Sequence, residues 1–293
     1  MGNAPILLFT YNRPEHTRRT VEALQKNELA DESDLFIYSD GAKGDEDKMN
    51  VQKVREYLQT IDHFRSVTTT IREYNYGLAN NIIDGVTNLV GKFKKVIVLE
   101  DDLITSPFFL RFMNEALDKY KYEENVISIH GYCLPIEYDE PVFFLKGADC
   151  WGWATWDRGW ELFNTDSSQL LQQLKKSKAV IKEFDFNGTY DYSGMLKKQV
   201  KGKVNSWAIR WYASAFLRNK LTLYPGRSLV KNIGGDGSGT HSQDEKQYQT
   251  GLNDRLVELK DIPIAESVRA RQLIEKHFAR HMSIRRRLKK VFK

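Results

Sequence analysis

Four consecutive apolar residues, Val96, Ile97, Val98 and Leu99, lie between Lys95 and the acids Glu100, Asp101 and Asp102. A run this short, unbroken by polar residues, predicts a strand covered on both faces, as in a parallel sheet. The segments before it alternate in the same grammar. A strand over 5–9 precedes Pro14, Glu15 and a helical pattern with Val21 and Leu24 on one side; a strand over 34–39 ends at Asp40 and Gly41. A polar helix over 46–60, a strand over 67–72 and a helix over 78–91 lead to the strand at 95–99. The alternation predicts right-handed βαβ units in a doubly wound α/β sheet. In such sheets ligands bind beyond the carboxyl ends of the strands.

From residue 125 the pattern changes to short strands (126–130 and 142–145), a helical insertion over 168–184, and a helix over 207–219 leading into a strand at 221–224. These read as additions to the first sheet rather than an independent globule. At 293 residues the chain suits one large domain or two closely packed ones, and 41% hydrophobic with 28% charged residues excludes a disordered or low-complexity chain. The formal charge of +5 invites a nucleic-acid reading. However, the last fourteen residues, 280–293, hold seven Lys or Arg and no acid, and subtracting those seven leaves −2 for residues 1–279. The basicity belongs to a tail, and no specific nucleic-acid partner is expected. Two cysteines without Cys-x-x-Cys spacing, and no signal-peptide pattern or apolar run of about 18 residues, predict a cytoplasmic chain.

Glu100, Asp101 and Asp102 are the most informative acids. Two like charges about 4 Å apart cost about 4 kcal/mol at an effective dielectric of 20, so a compensating cation is expected. The period of a strand puts Glu100 and Asp102 on one side, and hard divalent cations such as Mn2+ and Mg2+ favour oxygen ligands. The alternative is that the acids cap the next helix, but Thr105, Ser106 and Pro107 supply that helix with its own cap and first-turn proline.

Together these segments resemble the GT-A-fold nucleotide-sugar glycosyltransferases. Residues 7–13 (Leu7, Leu8, Phe9, Thr10, Tyr11, Asn12, Arg13) resemble the first strand and loop, which hold the nucleotide base in that fold. Tyr38, Ser39, Asp40 and Gly41 resemble the second strand end, and Asn75, Tyr76 and Gly77 the Asn-x-Gly segment of the bacterial family 2 enzymes. Glu100, Asp101 and Asp102 stand where the family has Asp-x-Asp, most like the N-acetylglucosaminyltransferase I type. The resemblance covers about residues 4–120. It implies a GT-A-like, Rossmann-like mixed sheet with C-terminal acceptor-side additions. Asp102 would then be the ligand of Mn2+ or Mg2+, and Glu100 and Asp101 would face base, ribose or pyrophosphate. Asp40 would face the uracil or its equivalent, with Thr10, Asn12, Arg13, Asn75 and Gly77 completing the nucleotide-sugar site.

All six tryptophans lie between residues 151 and 211. Trp156 and Trp160, four apart, suit one helix face and a packing role. Trp151 and Trp153 flank Gly152 at strand spacing and are candidates for sugar contact; Trp207 is included with the donor site through the resemblance. That resemblance also exposes a gap. The inverting relatives carry a catalytic carboxylate beside a tryptophan that begins a helix, eighteen residues before a proline. Here Trp207 and Pro225 keep the spacing, but the next position is Ala208. Asp157 and Asp191 are the substitute candidates for general base; pairing with Arg158 and an exposed turn are their ordinary explanations. A retaining mechanism would need no such base, and Arg210 could then stabilise the leaving diphosphate. His241, after a glycine-rich stretch, is a candidate second ligand for metal or diphosphate, by analogy with the late histidine of GT-A enzymes.

The expected organisation is a nucleotide-sugar-binding half over 1–124, an acceptor and catalytic half over 125–262, and a basic amphipathic helix over 263–293. Ile284, Leu288 and Val291 or Phe292 fall on one side of that helix, so 280–293 could rest on an anionic membrane surface where lipid-linked acceptors reside. The expected activity is metal-dependent transfer from a nucleotide-sugar, a UDP-sugar by resemblance, to a glycan or lipid-linked acceptor in surface-polysaccharide assembly. The alternatives are a sugar nucleotidyltransferase, which would show a Gly-rich loop where Thr10–Pro14 has none, and a non-catalytic carbohydrate- or membrane-binding protein on the same fold.

Overall fold

A computed structural model describes residues 2–237 and 247–291, the side chains of 283–291 excepted. In chain order the elements are β1 (Ile6–Thr10), α1 (Pro14–Gln25), β2 (Asp34–Ser39), α2 (Asp45–Leu58), β3 (Ser66–Ile71), α3 (Leu78–Phe93) and β4 (Lys95–Glu100). Then come β5 (Leu103–Thr105), α4 (Phe109–Lys119), β6 (Val126–His130), β7 (Val142–Lys146), β8 (Trp153–Trp156) and α5 (Asp157–Trp160). Helices α6 (Ser167–Leu174), α7 (Lys178–Phe184), α8 (Tyr192–Val200) and α9 (Trp207–Leu217) follow, and β9 (Leu221–Pro225), β10 (Val230–Asn232) and α10 (Val268–Val291) complete the order.

One eight-stranded sheet runs β3-β2-β1-β4-β8-β6-β9-β7. The first four strands are parallel, β8 and β7 run against the rest, and β6 and β9 pair in parallel. The two-faced burial expected of the apolar run at 96–99 is what places β4 at the centre. Ile97 and Leu99, with Ile6 and Leu8 of β1, pack against α1 and α4 on one side. Val96 and Val98, with Leu7 and Phe9, pack against α3 on the other. A third cluster joins Phe143 and Leu145 of β7 to α6, α8, α9 and the first turns of α10. The sheet therefore continues through the chain's second half without a break.

Two elements depart from the sequence reading. The helix expected over 168–184 is two helices: Asp166 caps α6 by accepting from the amides of Ser168 and Gln169, and the polar stretch 175–177 interrupts the apolar face before α7. Trp156 and Trp160 do not share a helix face. Trp156 ends β8 and packs with α4, whereas Trp160 lies on α5 and packs on the opposite side of the sheet. Among the described residues no helix is long and apolar enough to cross a membrane.

Candidate active site

The acids occupy the carboxyl end of β4, where the chain turns through Asp101 and Asp102 into β5. Asp101 is buried; it accepts from the Arg13 guanidinium and, at 3.3 Å, from the Tyr11 amide, while Thr20 donates to its carbonyl at 2.8 Å. Arg13 Nη2 also lies 3.0 Å from Asp102 Oδ2. The Glu100 carboxyl takes no hydrogen bond from the described residues. Burial, then the charges of Asp102 and Asp101, push it up to about 8 against the opposing pull of Arg13. Burial likewise raises Asp101 to about 6 despite its contacts with Arg13. For Arg13 burial acts in the other direction, but the two carboxylates outweigh it and hold the guanidinium above its ordinary range. Three acids beside one arginine leave this floor short of positive charge.

The neighbouring loop is organised by Asp40. Its two oxygens accept from the amides of Gly41 (2.9 Å), Tyr76 (2.8 Å) and Gly77 (3.0 Å) and from Asn75 Nδ2 (3.1 Å). Asn75 also donates to the Gly41 carbonyl. Asp40, expected to face the base, lines the cavity and is engaged by its own loop. Four donors already occupy the carboxylate, which fixes the 75–77 loop at the start of α3. Gly77, at φ 75°, makes that entry in a conformation that side chains with a Cβ rarely adopt. Asn12 Nδ2 and the Tyr11 hydroxyl both donate to Asp47 in the first turn of α2.

These groups share one cavity of about 790 Å³. Thr10, Asn12, Arg13, Asp40, Asn75, Gly77, Glu100, Asp101 and Asp102 line one end, with Lys43 and Lys231 adding positive charge. The other end is an aromatic chamber of Tyr132, Trp151, Tyr192, Tyr212, Tyr224 and Tyr248, closed by Phe278 of α10. Trp151 packs edge-on against Tyr132 and Tyr248, with centroids 4.8 and 5.4 Å apart.

The remaining sequence candidates lie elsewhere. Trp153 pairs with Val98 in the β4–β8 ladder and so shares its face, where it stacks on Trp207 at 5.4 Å and packs on Trp160 and Trp211. Trp153 and Trp207 are buried core residues outside the cavity wall. Asp157 follows Trp156, which pairs with Lys95 at the amino end of β4, so it sits at the opposite end of the strand from Glu100. There it lies 3.2 Å from Lys94 Nζ and accepts from the Arg158 amide. Asp191 caps α8 through the Gly194 amide. Arg210 is buried and donates to the Ser206 carbonyl and Asn205 Oδ1. None of these three belongs to the cavity wall; helix capping, pairing and burial already account for them. His241 lies outside the described residues.

Sequence reasoning missed Asp149 and the tyrosines of the chamber. The tyrosines come from separate elements and carry no periodic signal. Asp149 did carry one, since it stands between Gly147 and Gly152, both at positive φ (101° and 62°), beside the tryptophan block.

Parallel β3-β2-β1-β4, the antiparallel β8 beside β4, and an acid cluster at β4's carboxyl end make up the expected architecture. The fold is a doubly wound mixed α/β sheet. The sequence matches no protein-family model and no curated protein. Among solved structures it is similar to the mannosyltransferase PcManGT from Pyrobaculum calidifontis, in complex with GDP-Man and Mn2+, at 10% identity and a TM-score of 0.39, over 74% of this chain and 69% of that one. It is also similar to S. aureus TarS at 11% identity and a TM-score of 0.40, over 78% of this chain and 36% of that one.

Among the described residues no three His, Cys, Asp or Glu side chains converge as a ready-made metal site. The donor set still suits a divalent cation that keeps open positions. Asp102 and the unbonded Glu100 carboxyl face the cavity, and Mg2+-like ions are commonly held by one or two carboxylates with substrate phosphates completing the shell.

Proposed function

We propose that this chain is a metal-dependent glycosyltransferase that takes a sugar from a nucleotide-sugar, a UDP-sugar by its sequence resemblance, and delivers it to a glycan or lipid-linked acceptor. The observation that carries the reading is a single cavity with an acid floor deficient in positive charge at one end and an aromatic chamber at the other. A nucleoside diphosphate would be repelled by Glu100, Asp101 and Asp102 unless a cation lay between them. Asp102 and Glu100 would hold that cation, Mn2+ or Mg2+, which supplies Lewis-acid stabilisation of the departing diphosphate. Arg13 fixes the orientation of Asp101 and Asp102, and Lys43 and Lys231 offer charge to phosphate oxygens. Asp40 and Asn75 hold the loop on which a base would rest. The chamber's rings suit the apolar faces of pyranose sugars, with hydroxyls at their rims for hydrogen bonding.

In this reading residues 1–124 form the donor half, 125–262 the acceptor half, and the basic segment 280–293 rests on an anionic membrane surface. Truncation after Ala279 should abolish binding to anionic vesicles and leave binding to neutral ones unchanged.

The test of the activity is a panel of UDP- and GDP-sugars scored for Mn2+-dependent thermal stabilisation, with Asp102→Ala as control. The reading expects at least one donor to stabilise the wild type only with metal, and the substitution to remove the response. Stabilisation of the wild type by free sugars alone would favour a carbohydrate-binding role, to which the methyl of Ala208 at the expected base position gives some standing. No metal-dependent response to any donor would defeat the proposal.

A further inference from the structure

Among the described residues the aromatic end of the cavity holds one carboxylate. Among the described residues five carboxyl groups line the wall: Asp40, Glu100, Asp101, Asp102 and Asp149. Asp40 is fully engaged by its loop, Asp101 and Asp102 pair with Arg13, and Glu100 lies in the metal-side cluster. Ala208, where the resemblance would put a base, does face the cavity, with only a methyl group. Asp149 is different in each respect.

The β4–β8 ladder pairs Val98 with Trp153 in antiparallel register. The ladder ends at that pair, so Asp149 lies beyond it, on the loop that enters β8 and lines the cavity. Asp149 thus stands where the acid end meets the aromatic chamber, and its field is felt both at Cys150, where Glu100 and Asp102 also act, and at Tyr132, Tyr192, Tyr212 and Tyr224. Its side chain is 42% exposed, and among the described residues no Lys or Arg pairs with it. Oδ1 accepts the Cys150 amide at 2.8 Å, which fixes the carboxylate plane. Oδ2 is 3.6 Å from Nε2 of His130. That histidine is fully buried, has no hydrogen-bond partner on either nitrogen among the described residues, and is packed between Tyr132 and Tyr224. The Cys150 thiol is a further partner of this carboxylate, which remains partly exposed on the cavity wall.

We infer that Asp149 is the general base of the transfer, a catalytic residue contributed by the loop between β7 and β8. The inference rests on the proposed glycosyl transfer. The acceptor hydroxyl gives its proton to Asp149 Oδ2 as its oxygen bonds to the anomeric carbon. The bond from that carbon to the donor phosphate oxygen breaks, and its electron pair leaves on the nucleoside diphosphate. One displacement inverts the anomeric centre. A positioned base contributes about 10²- to 10⁴-fold to such a step.

The test uses the full chain with Mn2+ and the panel of UDP- and GDP-sugars, reading nucleoside diphosphate release with water as acceptor. Asp149→Asn should release diphosphate at least about 100-fold more slowly than wild type, while its affinity for UDP or GDP with Mn2+ stays unchanged. Azide needs no deprotonation, so adding it should restore release in Asp149→Asn and give a glycosyl azide of inverted configuration. Release that survives the substitution, loss of nucleotide binding along with release, or failure of azide to restore turnover would each overturn the assignment of the base. If the wild type releases no diphosphate from any donor, the transfer reading itself falls, and this assignment falls with it.

Discussion

Arg13 Nη2 lies 3.0 Å from Asp102 Oδ2 while the same nitrogen holds Asp101. One guanidinium on the loop after β1 thereby fixes two acids on the turn after β4, and both strands are neighbours in the sheet. The arrangement neutralises part of the cluster and leaves Glu100 without a partner among the described residues.

Replacing Arg13 removes the one cation that touches these acids among the described residues. Breaking a buried pair by removing one partner typically costs about 3–5 kcal/mol. Arg13→Gln should therefore lower unfolding free energy by about 3 kcal/mol in urea, and Mn2+ should restore more stability to the variant than it adds to the wild type. Equal effects of Mn2+ on both would contradict the charge account.

Glu100 provides a pH test. Its carboxyl is raised to about 8 from an ordinary 4.5, so the folded state holds a proton more tightly than the unfolded chain does. The linked stability is full below the unfolded value and is lost as pH rises through about 8. Without metal, Glu100→Gln should match the wild type at pH 5 and exceed it at pH 9. The difference should lie between about 1 and 5 kcal/mol, the upper end being the full linkage at 1.36 kcal/mol per unit. Urea titrations at the two pH values check this; a difference that is the same at both would refute it.

Gly234 passes directly over the acid cluster. A Cβ there would overlap Asp102 Oδ2 and lie 3.1 Å from Arg13 Nη1. Gly234→Ala should displace the Asp102 carboxylate and weaken Mn2+-dependent nucleotide binding by at least about tenfold, which is 1.4 kcal/mol. Titration calorimetry with UDP or GDP reads the change, and unaltered affinity would show that Asp102 is not held where the account needs it.

Asp40 is assigned to loop architecture. Asp40→Ala leaves the amides of Tyr76 and Gly77 without their acceptor, and each buried donor so orphaned costs about 1–3 kcal/mol. Hydrogen exchange at those two amides should speed up while β1 amides keep their protection. Unchanged exchange at 76–77 would return Asp40 to direct ligand contact.

Much of the fold was legible because its signals are local. The apolar run at 96–99 needed cover on both faces and received it, and the strand at 34–39 stopped where Asp40 begins to bind its loop. The acid motif was legible for the same reason, since Glu100, Asp101 and Asp102 are adjacent in sequence. Trp153 misled because an aromatic beside glycine reads alike in a site and in a core, and only its pairing with Val98 decides which face it takes; Trp207, included through the resemblance, stacks on it in that core. Asp157 and Asp191 were attractive as isolated acids, but Asp157 sits at the amino end of β4's ladder and Asp191 at a helix cap. Asp149 and the chamber depend on how β7, β8, α8, α9 and β9 converge, which is long-range information that periodicity does not carry.

In the proposed reaction a divalent cation and a nucleoside diphosphate meet at the carboxyl end of β4. Paramagnetic broadening of backbone amide signals by Mn2+ in the presence of UDP or GDP tests it most directly. The strongest broadening should fall at Arg13, Glu100, Asp101, Asp102 and Gly234, with β3 spared, and the pattern should be lost in Asp102→Ala. Broadening centred elsewhere, or a pattern that Asp102→Ala leaves intact, would contradict it.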